Sequence, residues 1–215
     1  MNKKIKIITV GIILACSINI KSEIPAYAMD KNTVEHFNIL HNEIKSFLNK
    51  KLTDEEKLKL AILYRNNGED QKAENLCLEI IKKSPENYSA IYFLGDLYKR
   101  NYQLETAKNE FLKIPDNAKE YKNSLLRLLE IYVAIKDEQE VKSLLNVLAG
   151  QSDIALYNTA MGIYNYSALK LAPTDALINF EKAFAENKDQ LEAIYYLGSI
   201  SLDRNKREEA RKYFN

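Results

Sequence analysis

The sequence predicts an all-α protein built from tandem helix–turn–helix units, and three observations carry that prediction. One apolar pattern is written three times at a spacing of 34 residues. Leu60, Tyr64, Ala73, Cys77 and Ile80 return as Leu94, Tyr98, Ala107, Phe111 and Ile114, then as Leu128, Tyr132, Val141, Leu145 and Leu148. Within each half of the pattern the apolar residues recur every three or four positions, the period of an α-helix. Only six Gly and four Pro interrupt 215 residues, and Leu, Ile, Ala, Glu and Lys are plentiful. That composition favours helices over strands.

The first 28 residues stand apart. Lys3, Lys4 and Lys6 precede the apolar run Ile7 to Cys16, and Ala26-Tyr27-Ala28 supplies small residues at the spacing a signal peptidase reads. A basic start, a short apolar middle and an A-x-A site describe a secretory signal peptide, 1–28. The run is too short for a spanning helix, which needs about 20 residues. A second reading stands beside it: Ile13-Leu14-Ala15-Cys16 resembles a bacterial lipobox, which would make Cys16 the lipidated first residue. A third reading is an uncleaved N-terminal anchor or mere apolar tail, and every reading places the body of the protein outside the cytoplasm, either periplasmic or extracellular and freely diffusing, or tethered to a membrane.

Residues 29–53 are expected to form an N-terminal capping helix. Val34, Phe37, Ile39, Leu40, Ile44, Phe47 and Leu48 give it one apolar face, and it does not fit the repeat. An atypical end helix is what covers the exposed end of a repeat array. His36 and His41 lie here, roughly 140° apart around a helix, so they cannot share a metal.

The array is expected over 54–215. Unit one, 54–87, opens with a capping box, Thr53 with Glu56 three residues on. It turns at Asn66-Asn67-Gly68 and closes at Ser84-Pro85. Unit two, 88–121, turns at Asn101-Tyr102-Gln103, and Pro115-Asp116 ends its second helix early. Ala61, Ala73, Gly95 and Ala107 let paired helices approach while Tyr and Phe fill the space beside them. Unit three, 122–154, keeps the pattern with bulkier Leu129 and Val141. Unit four, 155–190, carries Met161-Gly162 and then Ala176, Phe180 and Ala183, with two extra residues near Leu171-Ala172-Pro173-Thr174. Pro173 or Thr174 starts its second helix. Asn165 falls where the other units have Tyr, so Tyr164 or Tyr166 takes over that packing. Unit five, 191–215, has Leu197-Gly198, Ala210 and Phe214 and stops short of a full unit.

The order Leu-Gly, Tyr, Ala, Phe, Pro resembles the tetratricopeptide repeat, over roughly 54–215. There is no Trp, the third unit lacks its small residues, and Pro closes only the first unit. The resemblance implies a right-handed superhelical stack of hairpins whose first helices line a concave groove. The groove residues are then Leu58, Ile62 and Arg65; Tyr92, Asp96 and Lys99; Leu126, Arg127 and Glu130; Thr159 and Ile163; and Tyr195, Ser199 and Leu202. Tyr, Arg and aliphatic side chains suit a site that holds an anchor residue of a peptide. Some members of that family clamp a terminal carboxylate with Lys, Asn and Arg. Here Leu58, Ile62 and Tyr92 stand at those places and only Arg127 agrees, so the clamp is not expected.

Charge and motif content exclude other classes. Without residues 1–28 the chain loses four of 31 basic and one of 30 acidic side chains and carries a net −2. A dispersed, nearly neutral balance is no footprint for nucleic acid. No phosphate loop, dinucleotide turn, H-E-x-x-H helix or C-x-x-C pair occurs, so no cofactor, no metal and no enzyme are expected. Cys77 stands where Phe111 stands one unit later and reads as a small buried hydrophobe. The expected function is a non-enzymatic scaffold or adaptor that binds a protein or peptide partner. Two alternatives are a structural subunit of an envelope assembly, docking or pairing with another copy as a homo-oligomer through an open C-terminal end, and a piece of a longer protein.

Overall fold

In a computed structural model that describes residues 31–47, 51–167 and 173–214, the described chain is helical, with eleven α-helices and no strand. The expected signal peptide with Cys16, the side chain of His36 and residues 168–172 of the expected insertion lie outside the described residues. The chain divides into two compact units, Met1–Tyr102 and Gln103–Asn215.

The described part of unit 1 holds four helices: α1 (Lys31–Phe47), α2 (Asp54–Asn66), α3 (Asp70–Lys83) and α4 (Tyr88–Arg100). The capping box forms as the sequence predicts. The Thr53 hydroxyl accepts from the Glu56 N–H at 3.2 Å, and the Glu56 carboxylate accepts from the Thr53 N–H at 3.0 Å. Asp54 then closes the hairpin by accepting from the Ser84 hydroxyl at 3.0 Å and the Lys83 ammonium at 3.2 Å. Those bonds, Lys83 first, hold the Asp54 carboxyl below its usual range. Leu40 and Ile44 of α1 are buried in one cluster with Leu60, Ala61, Tyr64, Ala73, Cys77, Phe93, Leu94 and Leu97. His41 is exposed.

Unit 2 holds α5 (Leu104–Phe111), α6 (Tyr121–Ala134), α7 (Glu138–Ala149), α8 (Ile154–Ser167), α9 (Pro173–Glu186), α10 (Leu191–Asp203) and α11 (Arg207–Phe214). Helix α5 ends at Phe111, a turn before Pro115, and α9 starts at Pro173, both as the sequence predicts. The close approach of paired helices is visible at two glycines. A Cβ on Gly162 would lie 2.5 Å from the Phe180 ring, and one on Gly198 would lie 2.1 Å from the Phe214 ring. The third hairpin departs from the pattern. Helix α7 buries Val141, Leu144 and Leu148, whereas the expected Leu145 is only half-buried. Leu129 on α6 is itself fully buried where the neighbouring units carry Ala or Gly, so that hairpin has less room for a side chain from its second helix.

The turns repeat as faithfully as the helices. Gly68, Tyr102, Lys136 and Asn205 all take positive φ, between 59° and 78°, at the same place after a first helix. After three of them a helix-closing bond spans five residues: Glu69 N–H to Tyr64 O, Asp137 N–H to Tyr132 O and Lys206 N–H to Ser201 O, at 2.8–2.9 Å. This is the Schellman-type ending that lets a helix stop abruptly and the next one reverse direction.

Candidate functional site

In unit 1 the stripes Leu58, Ile62, Arg65 on α2 and Tyr92, Asp96, Lys99 on α4 each run at i, i+4, i+7, which places them on one helix face. All six side chains are half-buried. Leu58 and Ile62 lean on the hydrophobic cluster, so their inner atoms are fixed while an edge stays accessible. Arg65 ties the two helices together. Its Nη1 lies 3.3 Å from Asp96 Oδ2, and its guanidinium carbon sits 4.7 Å over the Phe93 ring. A carboxylate at one edge and a ring against one face hold the planar group in a set orientation. Arg100 adds a 3.4 Å bond from its Nη1 to the Arg65 carbonyl. Tyr98 is braced by its phenol, which donates to Glu74 Oε1 at 2.9 Å.

Unit 2 treats its expected groove residues differently. Leu126, Thr159 and Ile163 are fully buried, and so belong to the core rather than to a binding face. The Thr159 hydroxyl is satisfied within its own helix by the Ala155 carbonyl at 2.8 Å. In the same unit α6 and α10, two hairpins apart, are joined by side chains. Arg127 Nη1 lies 2.9 Å from Glu130 Oε1, and Arg127 Nη2 lies 3.6 Å from Glu192 Oε1. The Tyr196 phenol donates to Glu130 Oε1 at 3.0 Å. Burial, and then the Glu130 charge, push that phenol well above its ordinary pKa. Arg127 and Glu130 are therefore paired within the unit, as Arg65 and Asp96 are in unit 1. Ser199 is half-buried, while Tyr195 and Leu202 keep 43% and 40% exposure at the rim.

The sequence reading missed Glu192 and Tyr196. A signal was present: Glu192 is the one charge in the first three turns of an otherwise apolar α10, and the Tyr195-Tyr196 doublet puts rings on two adjacent faces. Tyr196 stacks on Phe180 with ring centroids 4.7 Å apart and planes 4° apart. Tyr166 meets it edge-on at 5.5 Å, which gives that residue the packing role expected of Tyr164 or Tyr166.

Cys77 is fully buried, and that burial pushes its thiol up to about 12, so it is no nucleophile near neutral pH. Among the described residues no group of three or more His, Cys, Asp or Glu is placed to hold a metal ion, and no helix is long and apolar enough to cross a membrane.

No family model and no curated protein matches the sequence. Solved helical-repeat structures resemble it. MamA is 19% identical with a TM-score of 0.43, over 72% of this chain and 90% of that one. YrrB, described as a TPR protein with an unusual peptide-binding site, is 15% identical with a TM-score of 0.44, over 81% and 88%. A tetratricopeptide repeat protein from Parabacteroides merdae ATCC 43184 is 12% identical with a TM-score of 0.48, over 95% and 77%. Likeness at this level says nothing of what this chain binds.

Proposed function

We propose that the chain is a non-enzymatic protein-binding module whose docking face in unit 1 is the α2/α4 stripe. The observation that carries this reading is the fixed Arg65 guanidinium, held by Asp96 and Phe93, on the same face as Leu58 and Ile62, which are packed on the core, and with the half-buried Tyr92 on α4. A face ordered before its partner arrives loses little conformational entropy on binding. The partner is a protein segment that sets an apolar or aromatic anchor against Tyr92 and the two aliphatic side chains. Tyr92→Ala tests this with the full chain as bait. Recovery of the partner segment should fall about tenfold while the melting temperature stays within about 2 °C, since aromatic anchors dominate such sites. Unchanged recovery with an unchanged melting temperature contradicts the assignment.

The same reading places the protein outside the cytoplasm, on the strength of Lys3, Lys4, Lys6, the Ile7–Cys16 run and Ala26-Tyr27-Ala28. Intact mass of the native protein tests it. A chain beginning at Met29 supports release after signal cleavage, and one beginning at an acylated Cys16 supports a tether. Recovery only of a chain beginning at Met1 in the soluble cytoplasmic fraction overturns export.

A further inference from the structure

We propose that Arg127, Glu130, Glu192 and Tyr196 form a conformational latch that fixes α10 against α6 and holds the inner face of unit 2 shut. The four residues come from helices two hairpins apart, and α8, which lies between them in the chain, has Thr159 and Ile163 fully buried. Apolar residues of similar volume would stabilise such a seam as well or better, because each buried charge surrenders hydration that its pairing only just restores. What a polar set adds is direction. The phenol-to-carboxylate bond of 3.0 Å between the two helices specifies one geometry, and the Arg127–Glu192 ion pair at 3.6 Å adds attraction across the same seam, whereas aliphatic contacts tolerate sliding.

Two further observations fit a latch rather than ordinary packing. The Tyr196 ring is held by the stacked Phe180 and by the edges of Tyr166 and Tyr195, so its phenol is aimed at Glu130 before the bond is made. One turn after Tyr195, the Ser199 hydroxyl is buried with no hydrogen-bond partner. Water would satisfy that hydroxyl if α10 moved outward, so closure works against a local polar cost and the quartet counters it.

The test replaces the quartet by apolar residues of similar volume in the full chain: Arg127→Met, Glu130→Leu, Glu192→Leu and Tyr196→Phe together. The expected result is a melting temperature equal to or above that of the wild type, with backbone amide resonances of α6 and α10 broadened by exchange between arrangements. Resonances as sharp as those of the wild type overturn the proposal, because apolar packing alone then sets the geometry. A lowered melting temperature without selective broadening also overturns it, because the quartet is then plain stabilisation. If the fourfold variant fails to fold, Tyr196→Phe alone decides. Broadening confined to the region around 192–199 supports the latch, and an unaltered spectrum refutes it.

Discussion

Cys77 is the residue whose environment most clearly alters its chemistry. It fills, on α3, the place that Phe111 fills one unit later, and both are buried to about 1% or less. The sequence made that legible, since a repeat transfers the burial of one position to its counterpart. The consequence for pH runs in one direction. The thiol ionises near 9.0 when solvated and at about 12 when folded, so between those values the native chain binds more protons than the unfolded one. Stability contributed by the neutral thiol is complete below pH 9 and is lost as pH rises toward 12, by up to about 1.4 kcal/mol per pH unit. Tyr196, also raised by burial, pulls in the same direction. Denaturant unfolding of a Cys77→Ala chain should therefore show a shallower alkaline decline than the wild type across that window. Equal slopes would mean that the buried thiol does not contribute.

The glycines separate what a helix pair demands from what it tolerates. At Gly162 and Gly198 an added methyl group meets an aromatic ring, but the rings differ in freedom. Phe180 is fully buried beneath Tyr196, whereas Phe214 is half-buried in the last described turn. Gly162→Ala should destabilise by about 1–3 kcal/mol, the usual range for overpacking. At Gly198→Ala a swing of Phe214 and a gain of about 1 kcal/mol in helix propensity leave the change near zero. Paired melting curves check this, and equal losses would show that Phe214 is as confined as Phe180. Element positions were readable because capping boxes, turn residues and small–large pairs are local. The burial of Leu144 in place of Leu145 was not, because which side chain of α7 is buried depends on what the facing helix presents and not on the period of α7 alone.

Across the molecule, the helical class and its 34-residue period were written in the sequence, while the fate of the expected groove was written only half. Position along a repeat says which helix face a residue occupies. It does not say whether another helix will cover that face. In unit 1 the face of Leu58, Ile62, Arg65, Tyr92, Asp96 and Lys99 stays half-buried, with part of each side chain accessible. In unit 2 the expected groove residues Leu126, Thr159 and Ile163 are core, and Glu192 and Tyr196 reach back to Arg127 and Glu130. Those pairings join residues more than 60 positions apart, as in the Tyr196–Glu130 bond, and nothing periodic announces them. Docking is therefore expected on one of two faces that the sequence treats alike. Hydrogen–deuterium exchange of the full chain, with and without the partner segment recovered by the wild type, measures this directly. Slowed exchange in α2 and α4 with α8 unchanged is the predicted result. Protection on α8 or α10, with α2 and α4 unaffected, would contradict it.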